Sequence, residues 1–275
     1  MDLDFKGKTA VVTGGSKGIG FAIAKEFLAE GANVFICARN QKELDDAVNQ
    51  LSKINDKEAS GKAGTAVGVI KGLALDGSKE SDMEALAKEA AALTGRIDAW
   101  VNNIGTNKKR EGEFYTESEL DYLISANYKS CVFGTQAAVK YMKEKGGSIV
   151  NISSLAAHAA TAIRSNIYAS MKAAVIAYTQ TTASEYAPFN IRINAVLPGY
   201  TKTPLVLKGF SEAVLDELLK NNILNRMAEP EEIAKPVVFL SSPAASYITG
   251  TELEVTGGHI KVLNARDSWK QTGGL

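Results

Sequence analysis

Two residues one helical turn apart, Tyr168 and Lys172, form the pair in this sequence best suited to proton transfer. Their i, i+4 spacing places both side chains on one face of a helix. A tyrosine titrates near pH 10, too high for this work at neutral pH, and a neighbouring ammonium lowers that pKa. Ser154, which ends the preceding apolar run, supplies a hydroxyl that can hydrogen-bond a substrate oxygen while Tyr168 gives it a proton. The three residues predict acid–base chemistry on a carbonyl or an alcohol, although Tyr-x-x-x-Lys alone also arises from simple helix packing.

A second motif, from Thr9 to Gly20, predicts a strand, a glycine turn and the start of a helix. Its first residues form an apolar run without a polar break, which is typical of a strand buried in a parallel sheet. Gly14, Gly18 and Gly20 allow a tight turn and a close approach of the backbone to a ligand. The first amides of the helix favour an anion, which suggests a pyrophosphate; a turn without a ligand is the alternative. The turn lacks the Gly-Lys-Ser/Thr of an ATP- or GTP-binding loop.

The end of the second predicted strand, Ala32 to Arg39, bears on the choice of dinucleotide. An acidic residue there would bind a ribose 2′-hydroxyl and repel a 2′-phosphate, but the sequence has Ala38 followed by Arg39. Lys17 in the glycine turn adds a second cation. Each could be a solvated surface charge, but together they favour NADP over NAD.

Further strands and helices alternate along the chain, and polar residues follow several strand ends. Asp76 ends the third strand and could bind adenine or cap the next helix. Residues 102–105 end the fourth, and residues 117–143 form one long helix. Residues 41–54 form a crossover helix, and residues 55–64 an exposed loop. Because parallel strands end at one edge of a sheet, these polar groups are expected to meet there.

Composition excludes several other classes of protein. With 275 residues, 45% of them hydrophobic and 23% charged, the chain can bury a large core. Because its net charge is zero and no long basic run occurs, neither nucleic acid nor an anionic membrane is an expected partner. No segment has the apolar length of a signal peptide or a membrane span, so we expect a soluble, cytoplasmic protein.

The cysteines and histidines are few and far apart. Cys37 and Cys131 fall within a predicted strand and a predicted helix, where they are expected to be buried and reduced. His158 and His259 have no cysteine or histidine neighbour at ligand spacing. We therefore expect no catalytic metal site.

Taken together, these motifs resemble the short-chain dehydrogenase/reductase family over residues 6 to about 260. The matching segments are Thr13-Gly-Gly-Ser-Lys-Gly-Ile-Gly20, Leu75-Asp76, Asn102-Asn-Ile-Gly105, Asn127, Ile152-Ser-Ser154, Tyr168-x-x-x-Lys172, and Pro198-Gly199 with Thr203. The resemblance implies an α/β fold, a Rossmann-type doubly wound parallel sheet of about seven strands flanked by helices, in a single domain spanning residues 1–275. It also implies assembly as a homotetramer or homodimer.

The resemblance implies four catalytic positions. Tyr168 is the acid/base, Ser154 orients the carbonyl, Lys172 binds the nicotinamide ribose and tunes Tyr168, and Asn127 anchors a proton-relay water. Arg39 resembles the residue that binds the 2′-phosphate. The expected cofactor-binding residues are Gly14, Ser16, Lys17, Gly18, Ile19, Gly20, Arg39, Asp76, Asn103, Gly105, Tyr168, Lys172, Pro198, Gly199, Thr201 and Thr203.

Three features depart from the family pattern. Tyr168 follows Ser154 by 14 positions, one more than is commonest, so either the loop bulges or the serine is Ser153; we keep Ser154. Ile104 replaces an alanine, and Thr201 replaces an isoleucine or valine. None of these changes removes a group that does chemistry.

Loops determine substrate specificity on such a fold. The expected substrate contacts are Ser154, Leu155, His158, Tyr168 and Tyr200. Residues 200–227 have apolar positions at helical spacing and form either a lid or a cover for the core. Lys108, Lys109 and Arg110 are solvated charges or contacts to an anionic substrate. Arg164 lies with His158 in the segment 155–167, which is expected to line the substrate pocket. The polar tail, 259–275, reaches a neighbouring subunit or is disordered.

These features predict an NADP(H)-dependent oxidoreductase that interconverts a ketone and a secondary alcohol. A 3-oxoacyl thioester reductase is the alternative within this class. A non-catalytic, dinucleotide-sensing protein on the same fold is the alternative from another class, but it would be expected to have lost Tyr168 or Lys172. A lyase or epimerase that uses the nicotinamide transiently also fits the motifs, and the sequence does not name the substrate.

Overall fold

A computed structural model describes residues 3–61, 68–107, 111–159, 165–259, 261 and 266, with the backbone alone for 56–61. The strands are β1 (Thr9–Thr13), β2 (Asn33–Ala38), β3 (Ile70–Ala74), β4 (Ala99–Asn102), β5 (Gly147–Ile152), β6 (Ile191–Pro198) and β7 (Glu252–Val255). The α-helices are α1 (Gly18–Ala29), α2 (Gln41–Gly61), α3 (Glu80–Thr94), α4 (Glu117–Ile124), α5 (Ser130–Met142), α6 (Asn166–Tyr186), α7 (Pro204–Gly209), α8 (Glu212–Leu219) and α9 (Pro230–Ser241).

The strands form one parallel sheet in the order β3-β2-β1-β4-β5-β6-β7. The chain runs outward from β1 to β3, then returns to the other side of β1 and continues outward to β7. The sheet order therefore reverses between β1 and β4, and ligands bind at the carboxyl edge beside such a reversal. The predicted Rossmann-like, seven-stranded fold is confirmed.

Helices cover both faces of the sheet because the strands are apolar on both sides. On one face Val12, Ile36 and Val101 pack against α1, α2 and α9. On the other face Val11 and Trp100 pack against α3, α5 and α6. This double burial explains the continuous apolar runs in the sequence.

The structure corrects the first part, 55–61, of the loop predicted at residues 55–64; residues 62–64 lie outside the described residues. The helix α2 continues to Gly61, beyond the last predicted turn at residue 54. Asn55 is buried, and its Nδ2 donates to the carbonyl oxygen of Gly68 at 2.7 Å. This bond gives the buried side chain of Asn55 a partner beyond the end of α2. Composition alone does not reveal such a partner, so the polar residues after 54 were interpreted as a loop.

The predicted helix 117–143 is also interrupted. A π-helical turn, Ser125–Lys129, separates α4 from α5, and the amide of Ser130 donates to the carbonyl of Ser125. Such turns occur mostly as single insertions within α-helices, often at functional sites. Asn127 lies in this turn.

A buried polar network joins the sheet to α6. The Trp100 indole donates to Asn102 at 2.7 Å, and the Asn102 amide donates to Asn151 at 2.8 Å. The Asn151 amide then donates to Thr179 of α6 at 2.9 Å. Because each of these groups has a partner, the network fixes α6 against β4 and β5 without leaving a buried polar group unpaired.

The two cysteines are buried and unpaired, as predicted. Cys37 lies in β2 and Cys131 in α5. Burial raises the pKa of each thiol to about 12. They are therefore inert, apolar core residues in the native state.

In the part of the chain that the structure describes, no helix is long and apolar enough to cross a membrane.

Candidate active site

A cleft of about 660 Å³ runs along the carboxyl ends of the strands. Of the predicted site residues, the following line it: Gly14, Ser16, Lys17, Gly18, Ile19, Gly20, Arg39, Asp76, Asn103, Gly105, Ser154, Leu155, Tyr168, Lys172, Pro198, Gly199, Tyr200, Thr201 and Thr203. Asn127 and His158 are not among the lining residues. The cleft at the carboxyl edge therefore brings together predicted site residues from seven segments of the chain.

The glycine turn after β1 fits a pyrophosphate. Gly14 and Gly18 have φ angles of +67° and +54°, which favour glycine, and a Cβ on Gly20 would lie 2.3 Å from the carbonyl oxygen of Gly14. Lys17, the N-cap of α1, provides no capping side chain, and the first turn contains no acidic residue. The helix thus presents its first amides without a competing anion, as phosphate binding requires.

Asn103 braces this turn from β4. Its Nδ2 donates to the carbonyl oxygens of Thr13 and Gly14, both at 3.1 Å. Asn103, an expected cofactor contact, therefore also holds the glycine turn in place while it lines the cleft.

The adenosine end contains both expected cations and an unexpected carboxylate. Arg39 is exposed at the end of β2 and makes no side-chain hydrogen bond or ion pair with a described residue. Lys17 is not free, because its Nζ lies 2.5 Å from the carboxylate of Glu43 in α2. Glu43 also lines the cleft. Glu43 lies five residues beyond the end of β2, in the first turn of α2, so the residue types at the strand end do not reveal it.

Asp76 does not cap a helix, since the N-cap of α3 is Lys79. Its carboxylate accepts from the amide of Ser78 at 3.1 Å and from the Ser78 hydroxyl at 2.8 Å. Burial opposes ionisation of Asp76, but these bonds, with Arg39 and Lys79 nearby, hold its pKa below the usual value. The capping interpretation is therefore wrong, and Asp76 lines the cleft as an anion.

Tyr168, Ser154 and Lys172 converge at the other end of the cleft. The Ser154 side chain is hydrogen-bonded to the phenol of Tyr168. The Nζ of Lys172 lies 5.8 Å from the centre of the Tyr168 ring and donates to the carbonyl oxygen of Ile152 at 2.8 Å. Ser153 instead donates to the carbonyl of Lys172 at 2.7 Å, which favours Ser154 as the serine that faces substrate.

The pKa values of this pair differ from the simple expectation. Burial lowers the pKa of Lys172 to about 8, with the Cys131 thiol acting in the opposite direction. Burial raises the pKa of Tyr168, and its hydrogen bond with Ser154 offsets only part of that rise. In the protein alone, desolvation thus outweighs any benefit that the Lys172 ammonium gives to a phenolate.

Asn127 lies behind the cleft, where the π-helical turn directs it toward the loop after β4. Its Nδ2 donates to the carbonyl oxygens of Thr106 and Leu123, both at 2.9 Å, and its Oδ1 accepts from the Thr106 amide at 3.0 Å. A Cβ on Gly105 would lie 3.1 Å from the Asn127 Oδ1 and 2.9 Å from the Lys172 Nζ. The side chain of Asn127 therefore fixes the backbone that lies against Lys172.

The part of the cleft next to Ser154 and Tyr168 is largely apolar. Leu155, Tyr200 and Leu215 form a small buried cluster, separate from the main core, with Val206 and Phe210 packed on it. The rings of Tyr200 and Phe210 meet edge to face at 6.2 Å. Segment 200–227 therefore contributes to a cluster beside the cleft rather than to the cover of the central core.

His158 is directed away from the cleft. It is exposed, and its Nε2 lies 3.2 Å from the carboxylate of Glu252 in β7. The structure does not bring it to the other predicted substrate contacts.

Asn107 and Ser165 are further polar residues of the cleft that the sequence analysis did not single out. Asn107 donates from Nδ2 to the hydroxyl of Ser165 at 3.1 Å, and both line the cleft. Ser165 precedes Tyr168 by three positions, so helical spacing could have placed it on the same face. Asn107 had no such signal because it lies in a loop.

Some predicted contacts fall outside the described residues, namely Lys108, Lys109, Arg110, Arg164 and most of the tail 259–275. Among the described residues, no group of three or more histidine, cysteine or acidic side chains is arranged to hold a metal ion.

The fold and the glycine turn define the class of Rossmann-like dinucleotide-binding proteins. A family model described as enoyl-(acyl carrier protein) reductase matches residues 14–259. The chain belongs to the short-chain dehydrogenase/reductase family, whose members are oxidoreductases that use a nicotinamide cofactor and act on the CH–OH group.

Individual relatives have several different names. A tropinone reductase homolog of Arabidopsis thaliana is 39% identical over 261 residues, covering 92% of each chain. A 3-oxoacyl-[acyl-carrier-protein] reductase of Chlamydia muridarum is 38% identical over 252 residues, covering 91% of this chain and 96% of the other. A solved 7α-hydroxysteroid dehydrogenase, complexed with NADH and 7-oxo glycochenodeoxycholic acid, has a TM-score of 0.85 at 28% identity, covering 96% and 98%.

Proposed function

We propose that this protein is an NADP(H)-dependent oxidoreductase that reduces a ketone to a secondary alcohol. The observation that supports this most is the convergence of Ser154, Tyr168 and Lys172 at one end of a cleft whose other end contains Arg39. A bound nicotinamide would supply the hydride. The glycine turn would hold its pyrophosphate, and Thr203, which approaches Gly18, would face that group from the opposite side.

At the end of the cleft that holds Ser154, Tyr168 and Lys172, the carbonyl oxygen of the substrate must gain a proton during reduction. Ser154 donates a hydrogen bond to that oxygen and orients it. Tyr168 gives its phenolic proton to the same oxygen as the carbon is reduced. Lys172, held by the Ile152 carbonyl, stabilises the phenolate that remains and binds the nicotinamide ribose. Asn127 fixes the loop beside Lys172 and anchors the proton-relay water.

The apolar substrate side favours a bulky, uncharged ketone. Leu155, Tyr200, Val206 and Phe210 offer apolar surface next to the polar Ser154 and Tyr168. A 3-oxoacyl thioester is the second candidate substrate, and the reductase of Chlamydia muridarum is one of the relatives that favour it.

The first experiment measures NADPH and NADH oxidation at 340 nm with cyclic ketones, steroid ketones and a 3-oxoacyl thioester. We expect turnover with NADPH and a ring ketone. Tyr168→Phe should lower kcat about 10²- to 10⁴-fold, because the proton donor is lost. Tyr247→Phe, at a fully exposed tyrosine, is the matched control and should be unchanged. Full activity in Tyr168→Phe would refute the mechanism.

Two variants test the cofactor choice in opposite directions. Arg39→Ala should weaken NADPH binding about tenfold or more while leaving NADH binding unchanged, since a charge-assisted bond to the 2′-phosphate is lost. Glu43→Gln should strengthen NADPH binding, because it frees Lys17. Lys42→Ala, an exposed neighbour outside the cleft, is the control. A preference for NADH in the wild type would refute the proposal.

We also propose a homotetramer or homodimer, as the family resemblance implies. Size-exclusion chromatography with light scattering should give a mass of two or four 29.3-kDa chains. A monomer at micromolar concentration would contradict this.

A further inference from the structure

Arg266, beyond the last strand, binds the helix α8 of the same chain. Its Nη1 donates to both carboxylate oxygens of Asp216, at 3.0 and 3.1 Å, and its Nη2 to the Asp216 carbonyl at 3.3 Å. Its Nε donates to the Oδ1 of Asn225 at 2.7 Å, and its amide to the carbonyl of Lys220 at 3.3 Å. One guanidinium thus joins α8 to the turn that follows it.

The geometry of this contact makes it stronger than an ordinary surface ion pair. The Arg266 side chain is only 20% exposed, and each of its three nitrogens is a donor: Nη1 to the Asp216 carboxylate, Nη2 to the Asp216 carbonyl oxygen and Nε to Asn225. Asn225 has a φ of +53°, in the left-handed region, so Arg266 binds a turn whose backbone shape is already fixed. A lysine in the same place would supply a point charge without the fork.

The helix held by Arg266 reaches the substrate side of the cleft. Leu215, next to Asp216, is 7% exposed and packs in one cluster with Leu155 and Tyr200. Leu155 directly follows Ser154, and both Leu155 and Tyr200 line the cleft. A displacement of α8 would therefore loosen two walls of the substrate site without touching Ser154 or Tyr168.

We propose that Arg266 is a positioning residue for substrate binding, because it holds α8 so that Leu215 stays packed against Leu155 and Tyr200. This inference rests on the proposed function only in taking that side of the cleft as the substrate site. Its loss weakens the binding of substrate and of the transition state equally, so it raises KM and leaves kcat unchanged.

The kinetic test compares Arg266→Ala, Arg266→Lys and Lys261→Ala at saturating NADPH. Lys261 is a second cation of the same segment, paired with Glu254 of β7 at 2.6 Å, so it is a matched control that does not touch α8. We expect KM for the ketone to rise about tenfold in Arg266→Ala, less in Arg266→Lys, and not at all in Lys261→Ala. An unchanged KM in Arg266→Ala, or a lower kcat at unchanged KM, would overturn the proposal.

A second test needs no turnover. Amide hydrogen exchange of residues 212–225 should become faster in Arg266→Ala and stay unchanged in Lys261→Ala. Unchanged exchange in Arg266→Ala would overturn the proposal whatever the kinetics. If the wild type reduces no ketone, the proposed function fails, while exchange still decides whether Arg266 holds α8.

Discussion

Lys172 carries an ammonium group that is almost fully buried, and this burial determines its pKa and its chemistry. It is 3% exposed, and its described hydrogen bond goes to a neutral carbonyl oxygen, that of Ile152. Burial therefore lowers its pKa to about 8, close to the pH at which it must work. The same burial raises the pKa of Tyr168, which keeps the phenol protonated and ready to give a proton.

These two pKa shifts predict the pH dependence of ketone reduction. Since Lys172 loses its charge above about pH 8 while Tyr168 stays protonated, kcat/KM for reduction should be level below pH 8 and fall above it. The reverse reaction, oxidation of the alcohol, needs the phenolate form of Tyr168, so its kcat/KM should rise with pH. Assays across pH 6–10, with samples returned to pH 7 to exclude inactivation, measure both. A reduction rate that is level to pH 10 would contradict the assignment.

Lys172 should also cost the protein stability at neutral pH. Its pKa is about 8 in the folded state and 10.5 in the unfolded state, so the unfolded state binds more protons between these values and stability rises with pH there. Below pH 8 the buried charge costs about 3 kcal/mol. Lys172→Met should therefore be inactive but at least as stable as the wild type in urea unfolding at pH 7. A loss of stability above about 2 kcal/mol would show that the ammonium is well compensated.

At the scale of elements, the interruption between α4 and α5 matters most for the site. The sequence predicts one helix over 117–143, because the residues on both sides of the π-helical turn are helical and no helix breaker marks the interruption. The turn directs Asn127 toward Thr106. There the Asn127 side chain donates to the Thr106 carbonyl and accepts from the Thr106 amide, as a neighbouring backbone would. Asn127 was identified by resemblance, but the reason for its position is visible only in three dimensions.

Asn127→Ala should therefore lower both the free energy of unfolding and kcat. The change leaves the carbonyls of Thr106 and Leu123 and the Thr106 amide without this partner. We expect a loss of about 2–4 kcal/mol in the free energy of unfolding and a lower kcat. The control is Ser130→Ala, which removes one bond to the Ala126 carbonyl near the same turn and should cost about 1 kcal/mol. Equal effects of the two variants would contradict the role of Asn127.

Across the whole molecule, the sheet and most of the cleft lining were predictable from sequence. Parallel strands end at one edge, so locating Gly14, Asn103 and Ser154 at strand ends was enough to bring them together. Two side chains were missed or misjudged for different reasons. Glu43 lies in the first turn of α2, and its contact with Lys17 depends on how α2 packs beside α1. His158 lies in a loop and turns to Glu252, and loop direction has no periodic signal.

A bound dinucleotide should stabilise the whole fold, because the cleft lies between so many elements. At a concentration 100 times its Kd, NADPH should add about 2.7 kcal/mol, which corresponds to a rise of about 5 °C in Tm. NADH at the same concentration should give a smaller shift, and Arg39→Ala should remove the difference. Equal shifts in the wild type would argue against a 2′-phosphate site. Thermal denaturation followed by circular dichroism measures these shifts.

The two buried cysteines can serve as internal probes of local unfolding. Cys37 is inaccessible within β2 and Cys131 nearly so within α5, so an alkylating reagent can reach either thiol only when the surrounding structure separates. Mass spectrometry after timed exposure to iodoacetamide would measure the rate of alkylation, and hence of opening, at each cysteine. Equal rates would mean that β2 and α5 open together, and a faster rate at Cys131 would mean that α5 opens first.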